Sequence, residues 1–527
     1  MSTIDVHAQK SDAPFEQSSI ASVIQSLNAI RGDAGVTSPS SGQTKCGYPA
    51  VWTAHAIWSK MTTEEQAQVS GLMSRPSTHT SLVSLSGKFR IHYDTSGVET
   101  VPTLDADFSG KPDYVERAAV CLDSSASRYQ ALGFVKPPSD GTMGGDSLYD
   151  VYFQKISGYG VTFFDGAGPQ TWDDELSYIV LHHTFGGFPP NNDPEGDSLG
   201  ALKVTCAHEY FHAVQLAYDK NDDLWFYESQ ATYHEERLFP EVDDNFQFLP
   251  AFYADPDTFL TTSVGSHPYG AFVWPLFLAE RHHDSLIRVY WEKSRFLPGL
   301  TAQDSALLAF GDSTSVAFRE FARWNLFTGD RANGLCFGDA ALYPGVAIDQ
   351  IIPSAPFSSV NGTQTPDGFA VNYILLPLGA SAPGLLRLDF TGEPVVRWGL
   401  GLWYKDSVGA YDYVSSVAPI AGALSHTRFN YTRWDTLIIA PLVVSPYQDD
   451  NDYTLDATVF PFGDANGSGG VDIGDVTYLI AYIFSAGAGP VYDVLLGDAD
   501  CSSDINISDV THIIAYIFSG GPAPCAP

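Results

Sequence analysis

Five consecutive residues, His208-Glu209-Tyr210-Phe211-His212, carry the pattern H-E-x-x-H. On a helix, imidazoles four residues apart share one face and can reach a single divalent ion. The glutamate after the first histidine is then placed to take a proton from a water held at that ion. The flanks favour a helix, because Val204, Phe211, Val214 and Leu216 supply apolar positions and neither Gly nor Pro interrupts 204–220. The competing reading is a pair of core histidines on a buried helix. A catalytic zinc needs a third protein ligand and an open position. The next segment, Trp225-Phe226-Tyr227-Glu228-Ser229-Gln230-Ala231-Thr232-Tyr233-His234-Glu235, offers candidates for it.

Three other stretches space oxygen-bearing side chains so that the chain wraps around calcium, an ion that takes about six to eight hard oxygens. Asp464, Asn466, Ser468, Asp472 and Asp475 stand at loop positions 1, 3, 5, 9 and 12, with Gly469 at 6 for the turn. The pattern recurs 34 residues later as Asp498, Asp500, Ser502, Asn506 and Asp509, with Ser503 in place of the turn glycine. The neighbouring words repeat too, Gly463-Asp464-Ala465-Asn466 as Gly497-Asp498-Ala499-Asp500, so the tail is an internal duplication. A third loop, Asp105, Asp107, Ser109, Asp113 and Glu116, fits the same spacing, with Pro112 unusual inside it. Two calcium ions are expected in the tail and a third upstream; the alternative for each loop is an acidic, solvated turn.

The Trp225-to-Glu235 segment resembles the second helix of gluzincin metallopeptidases, whose W-x-x-E-G-x-A-x-Y-x-E signature carries the third zinc ligand. Together with His208-Glu209-x-x-His212-Ala213-Val214-Gln215 it is similar to a group of secreted bacterial gluzincins. The resemblance implies a zincin-like α+β metalloprotease domain with one catalytic zinc on His208, His212 and Glu228, Glu209 as general base, and Glu235 behind the ligands. It implies Tyr269 as the hydroxyl that stabilises the oxyanion, since His267-Pro268-Tyr269-Gly270-Ala271 opens a further helix. Ser229 stands where the family carries Gly. No G-A-M-E-N segment is present and few residues separate His212 from Glu228, so endopeptidase action on a protein or peptide is favoured over exopeptidase action. By the same analogy, Tyr178 to Phe185 is expected as the edge strand along which substrate extends. The duplicated loops, each ending in Asp and followed by one helix, resemble a dockerin type I module, which implies stabilisation by calcium and leaves open a cohesin-like partner.

These residues need elements to hold them. The chain has 527 residues, 44% of them hydrophobic and 13% aromatic, enough for several packed cores. A multidomain protein is expected. Residues 1–85 read as a polar leader or pro-segment, 86–345 as an α+β domain, 354–461 as an all-β sandwich of short apolar runs, and 463–527 as a small helical calcium module. The net charge of −35 disfavours nucleic acid and anionic membrane surfaces as partners. Apolar runs such as Tyr373 to Leu378 are strand-sized, so no membrane span is expected. No secretory signal is visible at the start, yet the composition resembles an exported bacterial protein, and a secreted, extracellular location is expected. Six cysteines form no C-x-x-C pair, and the one pairing expected is Cys501 with Cys525. A scaffold without catalysis, using the sandwich and tail for attachment to a partner or polysaccharide, is the alternative to the peptidase.

Overall fold

The computed structural model describes residues 19–32, 45–379, 383–417, 422–446 and 449–525. The chain is multidomain and α+β, with several sheets, and divides into two compact units. The first comprises Met1–Phe252, Thr261–Thr314 and Ala332–Pro344, and the second Tyr253–Leu260, Ser315–Arg331 and Gly345–Pro527. Among the described residues no helix is long and apolar enough to cross a membrane.

The first unit opens with helices α1 (Ile20–Ile30), α2 (Tyr48–Ala56) and α3 (Thr63–Leu72). Thr62 and Glu65 form a reciprocal capping box at the start of α3. Strands β1 (Thr80–Val83), β2 (Phe89–Tyr93), β3 (Tyr149–Gln154), β4 (Gly160–Ala167) and β5 (Glu175–His182) form one sheet in the order β1-β2-β3-β5-β4, and α4 (Asp113–Ala131) lies between β2 and β3 in sequence. In β2, Phe89, Ile91 and Tyr93 are buried while Arg90 and His92 are half-exposed, as their alternation requires. β1 falls inside 1–85, so that span contributes an edge strand as well as helices.

The other edge differs from the expectation. Tyr178 to Phe185 is not an edge: its strand, β5, pairs with β3 on one side and β4 on the other, and β4 is outermost. The reason is compositional. Tyr178-Ile179-Val180-Leu181 is apolar on both faces and fully buried, which suits a covered interior strand, whereas β4 runs out into exposed Gly166 and Ala167. Two long helices follow, α5 (Asp197–Leu216) and α6 (Leu224–Leu238). α5 is buried from Gly200 to its end and α6 from Leu224 to Glu236, so each polar side chain there needs an internal partner.

In the second unit, a five-stranded sheet spans Gln350–Ile351 to Thr436–Val443 and a four-stranded sheet spans Phe357–Val360 to Tyr453–Pro461. Leu386, Leu388, Phe390 and Leu455 of one sheet and Trp398, Leu400, Leu402 and Ile439 of the other share one core, the layering of a sandwich. The tail has two matching helices, Ile473–Ser485 and Ile507–Ser519, packed through Val476, Leu479, Val510 and Ile513. Cys501 and Cys525 form the expected disulfide, tying the segment after the last helix to the loop before it.

Candidate metal centre

Positions 208 and 212 lie one turn apart on α5, so both imidazoles leave the same face. Positions 228 and 235 lie two turns apart on α6, so both carboxylates leave one face towards them. Glu228 Oε2 is 3.2 Å from His208 Nε2 and Glu228 Oε1 is 3.5 Å from His212 Nε2. The outer nitrogens are held from behind: His208 Nδ1 by Glu235 Oε1 at 2.7 Å and His212 Nδ1 by Gln215 Oε1 at 2.7 Å. Partners of this kind fix ring orientation and leave both Nε2 atoms free to ligate.

Glu209 lies beside this cluster, and the Thr162 hydroxyl on β4 donates to its Oε2 at 2.7 Å. Gly160, the first residue of β4, permits the approach, because a Cβ there would stand 2.6 Å from Glu209 Cγ. Tyr269, in the short helix His267–Gly270, is buried with its ring 6.3 Å from that of His208, and its hydroxyl neighbours Glu228. His267 turns to the Phe252 ring.

A fourth side chain enters from outside the expected set. Cys46 Sγ lies 3.2 Å from Glu209 Oε1 and 3.5 Å from His212 Nε2, and Cys46, His208, His212 and Glu228 offer ligand atoms all within 4.8 Å of one another. No local signal in the sequence marks Cys46. Gln215 stood in view, three residues after His212.

Burial and the carboxylates Glu228 and Glu235 set the titration of this cluster. Burial pushes Glu209 up to about 7 and raises Glu228 as well. Burial depresses His212, with the neighbouring His208 charge adding to it. For His208 burial acts downward, but its hydrogen bonds to Glu228 and Glu235 outweigh it and lift the ring to about 10. Glu228 Oε1 is buried with no hydrogen-bond partner. A carboxylate with an unpartnered oxygen beside two imidazole nitrogens offers the donor types that a two-histidine, one-carboxylate zinc site uses.

Both tail loops share one hydrogen-bond pattern. Asp464 accepts from the amides of Ser468 and Gly469 at 2.9 and 2.8 Å, and Asp498 from those of Ser502 and Ser503 at 3.0 and 2.9 Å. Asp475 and Asp509 close the loops by accepting from Asn466 and Asp472, and from Asp500 and Asn506. Asp498, Asp500 and Asp509 bring their oxygens together. Upstream, Asp105, Asp107 and Asp113 converge and Ser109 donates its amide to Asp105 at 3.0 Å, whereas Glu116 lies outside that group. Helix α4 begins at Asp113, which makes position 9 the closing residue and carries Glu116 away along the first turn. Asp367, Asp449 and Asp450 form another acidic group, unmarked by any spacing.

His182 is nearly buried, accepts from the Phe185 amide at 2.8 Å and is held down at about 4 by burial, so it serves the β5 turn. His234 is buried against Phe211 and Tyr129.

No family model matches the chain, and no curated protein matches it. Among solved structures, the pre-peptidase C-terminal domain of collagenase from Bacillus anthracis is similar over 21% of this chain and 97% of that domain, with 10% identity and a TM-score of 0.17. A likeness at that level bears on neither fold nor activity.

Proposed function

We propose that the chain is a secreted, gluzincin-like zinc endopeptidase with a dockerin-like calcium-binding tail. The observation that carries the reading is the convergence of His208 Nε2, His212 Nε2 and the unpartnered Glu228 Oε1 in a water-poor site. Zinc bound there supplies Lewis acidity, polarising a peptide carbonyl and bringing the pKa of water towards about 7. Glu209, held by Thr162, takes the proton from the attacking water at Oε1 and returns it to the leaving amine. Tyr269 donates a hydrogen bond from its hydroxyl to the developing oxyanion and keeps its proton. Glu235 and Gln215 keep the two imidazoles in the tautomer that presents Nε2.

Calcium ions at the two tail loops, and a third at Asp105, Asp107 and Asp113, neutralise carboxylates that otherwise repel. Secretion suits calcium loops and a disulfide. The exposed repeat-related pairs Ile480 with Phe484 and Ile514 with Phe518 offer a cohesin-like partner two equivalent faces.

One observation favours the scaffold reading: Cys46 completes a set of four donors with no exposed corner, the form of a structural zinc site. The test therefore measures zinc per chain and casein cleavage in the unaltered chain and in Cys46→Ser, each with and without Glu209→Gln. Zinc-dependent cleavage that Glu209→Gln removes supports the peptidase. Zinc bound without cleavage in any of the four proteins supports the scaffold.

A further inference from the structure

Building on the zinc reading above, we propose that Cys46 is the fourth ligand of the centre and that residues 45–48 hold the peptidase latent. Each of these four residues addresses a different part of the machinery. Lys45 Nζ pairs with Glu235 Oε2 at 2.8 Å, the carboxylate that orients His208, and also with Asp244. Cys46 Sγ stands between the base Glu209 and the ligand His212, where the attacking water belongs. Cys46 bridges Gly160 in parallel, and the Gly47 amide donates to the Gly160 carbonyl at 2.8 Å. That pairing occupies the start of the edge strand on which an extended substrate would lie. The Tyr48 ring stacks on His212 with centroids 4.4 Å apart, and its amide donates to Cys46 Sγ at 3.3 Å.

The seal is complete. His208 and Glu228 are 1% exposed and Glu209 and His212 are not exposed at all, so no polypeptide reaches the centre in this arrangement, to which 45–48 contribute the contacts above. A thiolate is also a better zinc ligand than water, which makes the closed arrangement the resting one. A purely structural site has no use for Glu209, yet the fold leaves Gly160 without a side chain and aims the Thr162 hydroxyl so that this carboxylate fits beside the thiol. The thiol blocks a working site rather than completing a dead one.

The test reads the ligand separately from the activity. The full chain and its Cys46→Ser variant are loaded with cobalt(II) for absorption spectra and with zinc for casein cleavage. The expected result is a thiolate-to-cobalt charge-transfer band in the unaltered protein that is absent from Cys46→Ser, with one metal per chain in both. Cleavage by the zinc-loaded variant is expected to exceed that of the unaltered chain by about tenfold or more, because the substrate-competent fraction is no longer suppressed. Absence of the band from the unaltered protein overturns Cys46 as a ligand, and needs no folded variant. An unaltered chain that cleaves as fast as Cys46→Ser overturns latency and leaves the peptidase reading intact. Zinc-loaded Cys46→Ser that cleaves nothing overturns both.

Discussion

The buried centre and the tail loops each gather candidate ligand atoms, in opposite ways. The centre draws on α5, α6 and the segment before α2, and Cys46 meets Glu209 across 163 positions of sequence. Each tail loop draws all its donors from a single run, with hydrogen bonds spanning at most nine residues. The centre can exclude water because a whole compact unit surrounds it, and exclusion strengthens every charge interaction inside. The loops do so only in part: Asp464, Asp475, Asp498 and Asp509 are buried, whereas Ser468, Asp472 and Ser502 are exposed. Under the proposed function, catalysis belongs with the first arrangement and local stiffening with the second.

If that division is right, damage at the centre removes activity and leaves the tail unchanged. The largest expected effect is Glu209→Gln in the Cys46→Ser background, lowering kcat/KM by about 10²–10⁴-fold with zinc content unchanged, as steady-state kinetics and metal analysis will show. Tyr269→Phe removes one oxyanion donor and should lower kcat by roughly 10²-fold with little change in KM. At the other site, removing calcium with a selective chelator should destabilise the tail by about 3 kcal/mol, the linkage expected for a ligand held near a hundred times its dissociation constant. Calorimetry of the full chain should resolve this as a lower transition while zinc stays bound; simultaneous loss of zinc would break the division. The smallest effect is inside the duplicated loops. Ser503 holds φ 70° where Gly469 holds φ 94°, a left-handed backbone that glycine adopts freely. Ser503→Gly should therefore stabilise the second loop by about 1 kcal/mol and tighten its calcium binding in a titration.

The same contrast decides what could be read from the sequence. Local structure was legible: the helices carrying H-E-x-x-H and the Trp225-to-Glu235 segment, the repeated tail loops and the Cys501–Cys525 bridge all lie within short spans. Strong apolar strands were legible too, and Thr436–Val443 and Tyr453–Pro461 appear almost where their patterns place them. Ala423–Phe429 was not, because it alternates between exposed and half-buried residues and carries little apolar signal. The edge of the first sheet was misplaced since an apolar run marks burial rather than order within a sheet. Asp105, Asp107 and Asp113 come together while Glu116 stands apart from them, because spacing alone does not tell where α4 begins. Cys46 was invisible, as a lone cysteine acquires meaning only from what the fold sets against it.

The most direct check of the proposed zinc centre is a crystal structure of the zinc-loaded full chain with anomalous data at the zinc edge. The expected result is one peak about 2.0–2.2 Å from His208 Nε2, His212 Nε2 and a Glu228 oxygen. A peak elsewhere, or a centre in which Glu235 replaces Glu228, would contradict the account.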